Sequence, residues 1–310
     1  MENSSSVSDI LVLEELGHPE SSTYAVFFTL LFVYIALLIT NFGVLIIIIA
    51  EKSLHQPMYL LFCNLSVNDI LGNTILLPHL LYDMASRNRL MFYNNCVAQV
   101  FFTHVYASAS HSILVVMAID RYVAICKPLR YNAIMTAKAV LVLSVSAWAF
   151  PAVFISVLVG LSVRLSRCRS TIPNFYCDNA SLFKLSCENV SINNIYGLFY
   201  SVLLLGSSMG TIAVTYISIA VTCWTKKSAE LNRKAIQTCA SHLVLYLILL
   251  LMGYLIIIMH RFPEERFIRK LMAVLIHIVP GHFNPIIYGL QTKHLKLKIW
   301  KIFRPKTTET

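Results

Sequence analysis

Val97-Ala-Gln-Val-Phe-Phe-Thr-His-Val-Tyr-Ala-Ser-Ala-Ser-His-Ser-Ile-Leu-Val-Val-Met-Ala-Ile119 carries no formal charge until it meets Asp120-Arg121. About 20 predominantly apolar residues are what a helix needs to cross a bilayer, so this run reads as a membrane span. The adjacent acid and base that end it then lie where hydrocarbon gives way to water, and a charge can change partners there at modest cost. Such a position suits a switch.

Six more runs of the same kind flank it: Tyr24 to Ala50, Met58 to Tyr82, Ala139 to Val163, Ile195 to Val221, Ala235 to Met259 and Leu271 to Leu290. With 57% hydrophobic residues, 13% charged and a mean hydropathy of +0.69, the apolar excess is wrong for a soluble protein and needs lipid as solvent. The expected fold is an all-α membrane protein, a seven-transmembrane helix bundle. Residues 1–23 form an N-terminal segment, 24–290 the bundle, and 291–310 a short amphipathic helix and tail. In that tail Leu295, Ile299, Ile302 and Phe303 recur at helical spacing with Lys296, Lys298 and Lys301 between them, as in a helix lying on a lipid surface.

Basic residues set the orientation. Lys52, Lys127, Arg130, Lys138, Lys226, Lys227, Arg233, Lys234 and the lysines of the tail fall on one side, against only Glu51, Asp120, Glu230 and Glu309. The positive-inside rule makes that side cytoplasmic and the N-terminal segment, which has acids and no bases, extracellular. The expected location is the plasma membrane, crossed several times. The formal charge of +10 is spread over short loops beside spans, so anionic lipid explains it and nucleic acid is not an expected partner. Met1-Glu-Asn-Ser-Ser-Ser has no basic n-region or apolar core, so the first span is expected to act as its own insertion signal.

Cys63, Cys126, Cys223 and Cys239 fall within spans or at their cytoplasmic ends, where thiols stay reduced. Cys96, Cys168, Cys177 and Cys187 fall outside, and four cysteines in oxidising space imply two disulfides with three possible connectivities. Three of these sit in the longest loop, residues 164–194, and the fourth opens the third span, so one bridge should tie that loop to the helix as a lid. Of the sequons at Asn3, Asn179 and Asn189, the N-terminal one is the best placed for glycosylation.

Few polar side chains interrupt the spans, and each is a candidate. Asp69 is a carboxylate at membrane depth, a functional position by default; the alternative is a protonated group bonded to Asn41 or Ser66 that holds two helices together. His104 and His111 lie two turns apart on one face of the third span, with Ser108 and Ser110. His104, near the outer end, is read as a ligand contact and His111 as structural. Arg261 ends the sixth span and either snorkels to headgroups or binds an anion through its planar fork. In the seventh span Pro285 removes a helix hydrogen bond and Gly281 weakens the same region, so an irregularity is expected, with Asn284 able to occupy the freed backbone groups. No nucleophile–base set or metal spacing suggests an enzyme.

Four motifs together resemble the rhodopsin-like (class A) G-protein-coupled receptors, and among them the odorant (olfactory) receptors. These are Met117-Ala-Ile-Asp-Arg-Tyr-Val-Ala-Ile-Cys126, Pro57-Met-Tyr-Leu-Leu-Phe-Cys-Asn-Leu-Ser-Val-Asn-Asp69, Lys234-Ala-Ile-Gln-Thr-Cys-Ala-Ser-His242 and Asn284-Pro-Ile-Ile-Tyr288. The resemblance covers nearly the whole chain. It implies bridges Cys96–Cys177 and Cys168–Cys187, and a small-molecule odorant held under the loop by His104, Tyr106 and Ser108 of the third helix with Ile257 and Arg261 of the sixth. It also implies a stimulatory, olfactory-type heterotrimeric G protein that raises cyclic AMP. Asp120, Arg121, Tyr122, Tyr216, Asn284, Pro285 and Tyr288 would carry coupling, the sixth helix swinging outward as Asp120 releases Arg121.

Asn41, Asp69, Ser110 and Asn284 match the polar cluster that holds a sodium ion in many rhodopsin-like receptors; otherwise no cofactor is implied. His104 with His260-Arg261-Phe262 resembles the class I, or fish-like, branch, in which an arginine at the matching place binds a ligand carboxylate. Leu249-Leu250 stands where odorant receptors commonly have an aromatic pair. Competing readings are a non-olfactory rhodopsin-like receptor for a small metabolite and, further off, a secondary transporter, which would be expected to show internal repeats and several midplane charges.

Overall fold

Hydrocarbon offers no partner to a backbone amide, so each apolar run has to satisfy its own N–H and C=O groups as helix. The computed structural model describes residues 9–16, 22–226, 229–259 and 266–291. Its helices are α1 (Thr23–Ala50), α2 (Pro57–Ser86), α3 (Tyr93–Cys126), α4 (Tyr131–Ile134), α5 (Ala137–Val163), α6 (Asn179–Phe183), α7 (Ser191–Lys226), α8 (Ala229–Met259) and α9 (Arg266–Gln291). Seven of these, all but the short α4 and α6, are long and apolar enough to cross a membrane.

The helices overrun the hydropathy boundaries because hydropathy marks the hydrocarbon crossing while a helix continues to its cap. At the start of α2, Gln56 is extended and Pro57 occupies the first turn, where its missing N–H is no loss. At the start of α5 the Thr136 hydroxyl accepts from the Ala139 amide at 3.2 Å.

Among the spans, α3 is the hub. It packs on α2, α5, α7 and α8, while α1 closes the ring against α2 and α9. Its inner residues Ala109, Ile113, Leu114, Met117 and Ala118 are buried with Leu61, Phe62, Leu65, Leu245 and Tyr246 of neighbouring helices. Large apolar side chains such as Phe28, Phe32, Ile39 and Val202 project from the outer faces, which suits a lipid surface.

One end of the bundle carries a feature that hydropathy did not mark. Residues 10–13 form strand β1, which pairs antiparallel with β2 (Leu90–Phe92) and parallel with β3 (Thr171–Ile172), in the order β2-β1-β3. Alternation puts Leu11 and Leu13 inward, where they pack on Met91, Cys96, Val100 and Ile155, and leaves Ile10 and Val12 outward.

The loop between α5 and α7 is held as expected by two bridges. Cys96–Cys177 has a Cα separation of 5.4 Å and Cys168–Cys187 one of 5.9 Å. Gln99 of α3 adds a tether, its Oε1 accepting from the Cys177 amide at 2.8 Å. The N-terminal strand and the loop thus make one cap. Ion pairs fasten it, from Lys270 to Glu14, Arg89 to Glu15 and Arg167 to Asp9.

Asn179, one of the sequon residues, is buried and accepts from the Ser162 hydroxyl at 2.8 Å, a placement that leaves its amide no room for a glycan. Asn3 and the amphipathic segment after residue 291 lie outside the described residues.

Leu11→Ala should destabilise the protein by about 2–5 kcal/mol, the cost of emptying a filled core position. Ile10→Ala, on the outward face of the same strand, should cost less than about 0.5 kcal/mol. Thermal unfolding of the two variants in lipid nanodiscs checks this; equal midpoints would show that the strand does not share the core.

Candidate functional site

The site has three levels along the bundle, and each is built on α3. At the capped end, the His104 ring is half-buried with Nδ1 at 2.9 Å from the Val100 carbonyl. Ser108, one turn deeper, is buried beside Tyr200 of α7. The Tyr200 ring stacks on Phe154 of α5 with centroids 5.3 Å apart. Ile257 of α8 is partly buried, and Arg261 lies outside the described residues.

Tyr106 faces the other way. Its ring lies over Gly72 of α2 and stacks on His277 of α9 at 5.3 Å, and its hydroxyl donates to the His277 carbonyl at 3.2 Å. It is therefore not brought to the side of α3 that carries Ser108. Spacing on a helix separates them, since residues two apart point to different faces.

From above, Tyr176 of the loop meets the His277 ring edge-on at 6.4 Å. Burial, then the nearby Asp178 carboxylate, hold the Tyr176 phenol well above the ordinary tyrosine range, with Arg269 opposing. It stays a neutral hydroxyl. A cavity of about 120 Å³ opens at the rim of the cap, lined by Glu14, Glu15, Asp83, Arg87, Arg89 and Phe175 among others.

At mid-depth the polar side chains gather. Asp69 is fully buried, and the amide of Asn284 donates to its Oδ2 at 2.8 Å. This corrects two sequence expectations: the partner of Asp69 is neither Asn41 nor Ser66, and Asn284 does not take the freed backbone of its own helix. Pro285 has no N–H, so it frees the carbonyl of Gly281 four residues back, and Asn41 of α1 donates to that carbonyl at 3.0 Å. Gly281 has no side chain to block the approach; a Cβ there would lie 2.6 Å from Leu37.

Ser110 donates to the Tyr106 carbonyl at 3.0 Å and accepts from Asn68 at 2.8 Å. Of the four candidate cation ligands, then, Asp69 and Asn284 touch directly while Asn41 and Ser110 are bonded to backbone or to Asn68. Several acceptors here have no partner among the described residues: Asp69 Oδ1 and the amide oxygens of Asn41, Asn68 and Asn73. His111, read as structural, packs edge-on against Tyr246 at 6.0 Å.

At the opposite end Asp120 is fully buried, and its two oxygens are separately held. Arg121 donates to Oδ2, with Nε at 3.0 Å, and the Tyr131 hydroxyl of α4 donates to Oδ1 at 2.8 Å. Burial and the Asp120 charge push the Tyr131 phenol up, so it remains a donor. Tyr216 of α7 is bonded instead to His242 of α8 at 2.6 Å. Tyr122 carries Lys127 over its ring at 5.6 Å. The Tyr288 side chain lies outside the described residues, while Pro285 is within α9.

Sequence reasoning assigned no role to Tyr131, His242, Gly72 or His277. Only His242, inside a quoted motif, gave a signal that could have found it.

Comparison with known proteins gives the same outline. The family described as olfactory receptor matches residues 30–306. Human olfactory receptor 52N2 is 34% identical over 269 residues, covering 86% of this chain and 84% of that protein. Human olfactory receptor 4E1 is 33% identical over 305 residues, covering 97% and 95%.

Gly72→Ala should lower the unfolding midpoint, because its Cβ would fall 2.2 Å from the Tyr106 ring and that ring is locked between α2 and His277. The expected cost is about 1–3 kcal/mol. Combining it with Tyr106→Leu should give back part of the loss relative to the sum of the single changes; strict additivity in the double-mutant cycle would mean that the two residues do not conflict.

Proposed function

The chain belongs to the olfactory receptor family of rhodopsin-like G-protein-coupled receptors, and on that premise we propose that it detects a small polar or anionic odorant and signals through a stimulatory, olfactory-type G protein that raises cyclic AMP. Membership makes it an odorant-sensing, multi-pass plasma-membrane protein and not an enzyme. It also removes the transporter alternative. In this reading the capped end faces outward, with Asn3 as its glycosylation site, and the basic loops and tail face the cytoplasm and its anionic lipid.

The observation that carries the reading is the double hold on Asp120, by Arg121 and Tyr131, at the end of α3 remote from the disulfide-held cap. A buried carboxylate with both oxygens engaged is a closed arrangement. An odorant that binds more tightly when α8 has swung away shifts the population toward the open one. Arg121, released from Asp120, then lines a docking cleft with Tyr216 and Tyr288, and Tyr216 has to leave His242 to do so.

The odorant lies between α3, α7 and α8, against His104, Ser108 and Ile257. Arg261 supplies the charge. Its position after His260 resembles the class I arrangement, and a planar guanidinium suits a carboxylate through two parallel hydrogen bonds.

The mid-depth cluster also fits a monovalent cation. Asp69 supplies one negative charge, and its Oδ1 with the amide oxygen of Asn41 are buried acceptors in need of a positive partner, the kind of oxygen set that hard cations take. Ser110 and Asn284 complete the set. A sodium ion there would offset the Asp69 charge and favour the closed arrangement.

Two measurements test these readings. In a cyclic AMP assay across amino acids, carboxylic acids, amines and neutral volatiles, Arg261→Ala should abolish responses to carboxylates at unchanged surface level; an unaltered dose response would sink the anion reading. Replacing external sodium by choline should strengthen agonist potency in the wild type and leave Asp69→Asn unaffected. Equal sodium dependence in the two proteins would rule out the ion at Asp69.

A further inference from the structure

The cavity of about 120 Å³ at the rim of the cap lies apart from the odorant position between α3, α7 and α8. Its floor is apolar, because Leu80 and Phe175 belong to a buried cluster against which Leu16 and Met84 pack. Its wall carries charge of both signs, Glu14, Glu15 and Asp83 against Arg87 and Arg89. Small-molecule sites have this make-up, an apolar lining with a few placed polar groups.

Some of these charges are already matched. Glu14 is paired with Lys270 of α9 at 3.1 Å and Glu15 with Arg89 at 2.7 Å, contacts that fasten the cap. Asp83 and Arg87 are different. Asp83 faces the His79 ring nitrogen at 3.1 Å, a partner that is a cation only when protonated. Arg87 forms no ion pair among the described residues, although three carboxylates line the same cavity.

The backbone accounts for that separation. An acid and an arginine four residues apart would be neighbours on a continuing helix. Here Asp83 lies in the last turn of α2, whereas Arg87 caps the helix in the left-handed region at φ 54°, the only positive φ at a non-glycine among the described residues. The turn thus breaks the pairing and leaves a carboxylate and a guanidinium in one cavity without contact. A metal does not explain the acids, since no group of His, Cys, Asp and Glu among the described residues could hold one.

We propose that the rim cavity is a second binding site, one that takes a small free zwitterion, an α-amino acid with an apolar side chain. Its ammonium faces Asp83, its carboxylate faces Arg87, and its side chain rests on Leu80, Met84 and Phe175. The ligand completes the charge pair that the end of α2 keeps open. This site is distinct from the Arg261 position and stands whether or not the chain signals as proposed above.

The test uses the full-length receptor in nanodiscs of phosphatidylglycerol, whose headgroup carries no ammonium, with binding followed by saturation-transfer NMR. The probes are leucine, isocaproate, which lacks the ammonium, and isopentylamine, which lacks the carboxylate. Leucine should bind at least about fivefold more tightly than either analogue, the upper worth of one exposed charge pair. Arg87→Asn, a residue that accepts the left-handed turn, should remove the advantage over the amine. Asp83→Asn keeps the side-chain shape and should remove the advantage over the acid.

The comparison of probes on the wild type decides the matter even if a variant fails to fold. Absence of leucine binding, equal binding of the three probes, or leucine affinity unchanged in both variants would each overturn the site. So would leucine binding that disappears in Arg261→Ala and persists in the two rim variants, which would place the amino acid at the odorant position. Loss of leucine binding when phosphatidylethanolamine is added would assign the cavity to a lipid headgroup and overturn the free amino acid as its occupant.

Discussion

Asp69 has no exposed surface, and the groups around it are arranged by the need to place a carboxylate inside an apolar bundle. Asn284 reaches across from α9 to donate to it, while Asn41 is tied to the backbone of that helix at Gly281. The second bond exists only because Pro285 cannot donate and Gly281 has no Cβ. Three helices that share little sequence are thereby fixed at one depth. A charged or polar group at this depth is costly unless satisfied, so the contacts are specific in a way that apolar packing between lipid-facing helices is not.

Packing is continuous from this cluster to the cap. Asn68 and Ser110 both donate to the Tyr106 carbonyl, the Tyr106 ring lies on Gly72 and His277, and His277 meets Tyr176 of the disulfide-held loop. On the other side α3 continues to Asp120 and its two donors. A ligand that moved His277 or Tyr176 by a fraction of an ångström would press on a stack with no slack. Tightly packed interiors answer such pressure by changing arrangement rather than by yielding smoothly.

Much of the architecture was legible because its cause is local. Seven apolar runs follow from solvent, and the gathering of four cysteines at one end of the bundle from redox chemistry. The unread parts depend on residues far apart in the chain. Ile10-Leu-Val-Leu13 is a short alternating run that becomes a strand only when residues 90–92 and 171–172 arrive beside it. Tyr131 looks like an ordinary loop tyrosine until α4 places its hydroxyl on Asp120. Asn284 stands beside Pro285, yet the group it donates to is Asp69, 215 positions away, which the resemblance and no local pattern set with it. Gly72 and Tyr106 betray nothing singly, since each explains the other.

The strand order β2-β1-β3 also bears on how the protein is made. Synthesis runs from the N-terminus, so Ile10–Leu13 leaves the ribosome before any of its partners. It can pair with β2 once α2 has been inserted, but the parallel pairing with β3 waits until α5 has crossed and the following loop has emerged. Through that interval Leu11 and Leu13 lack the cover of Ile155 and Ile172, and the strand keeps an open edge. Biogenesis of this receptor therefore includes a delayed step, closing this strand after four of the seven spans have been made, and until that step the nascent chain presents an open strand edge to the folding machinery.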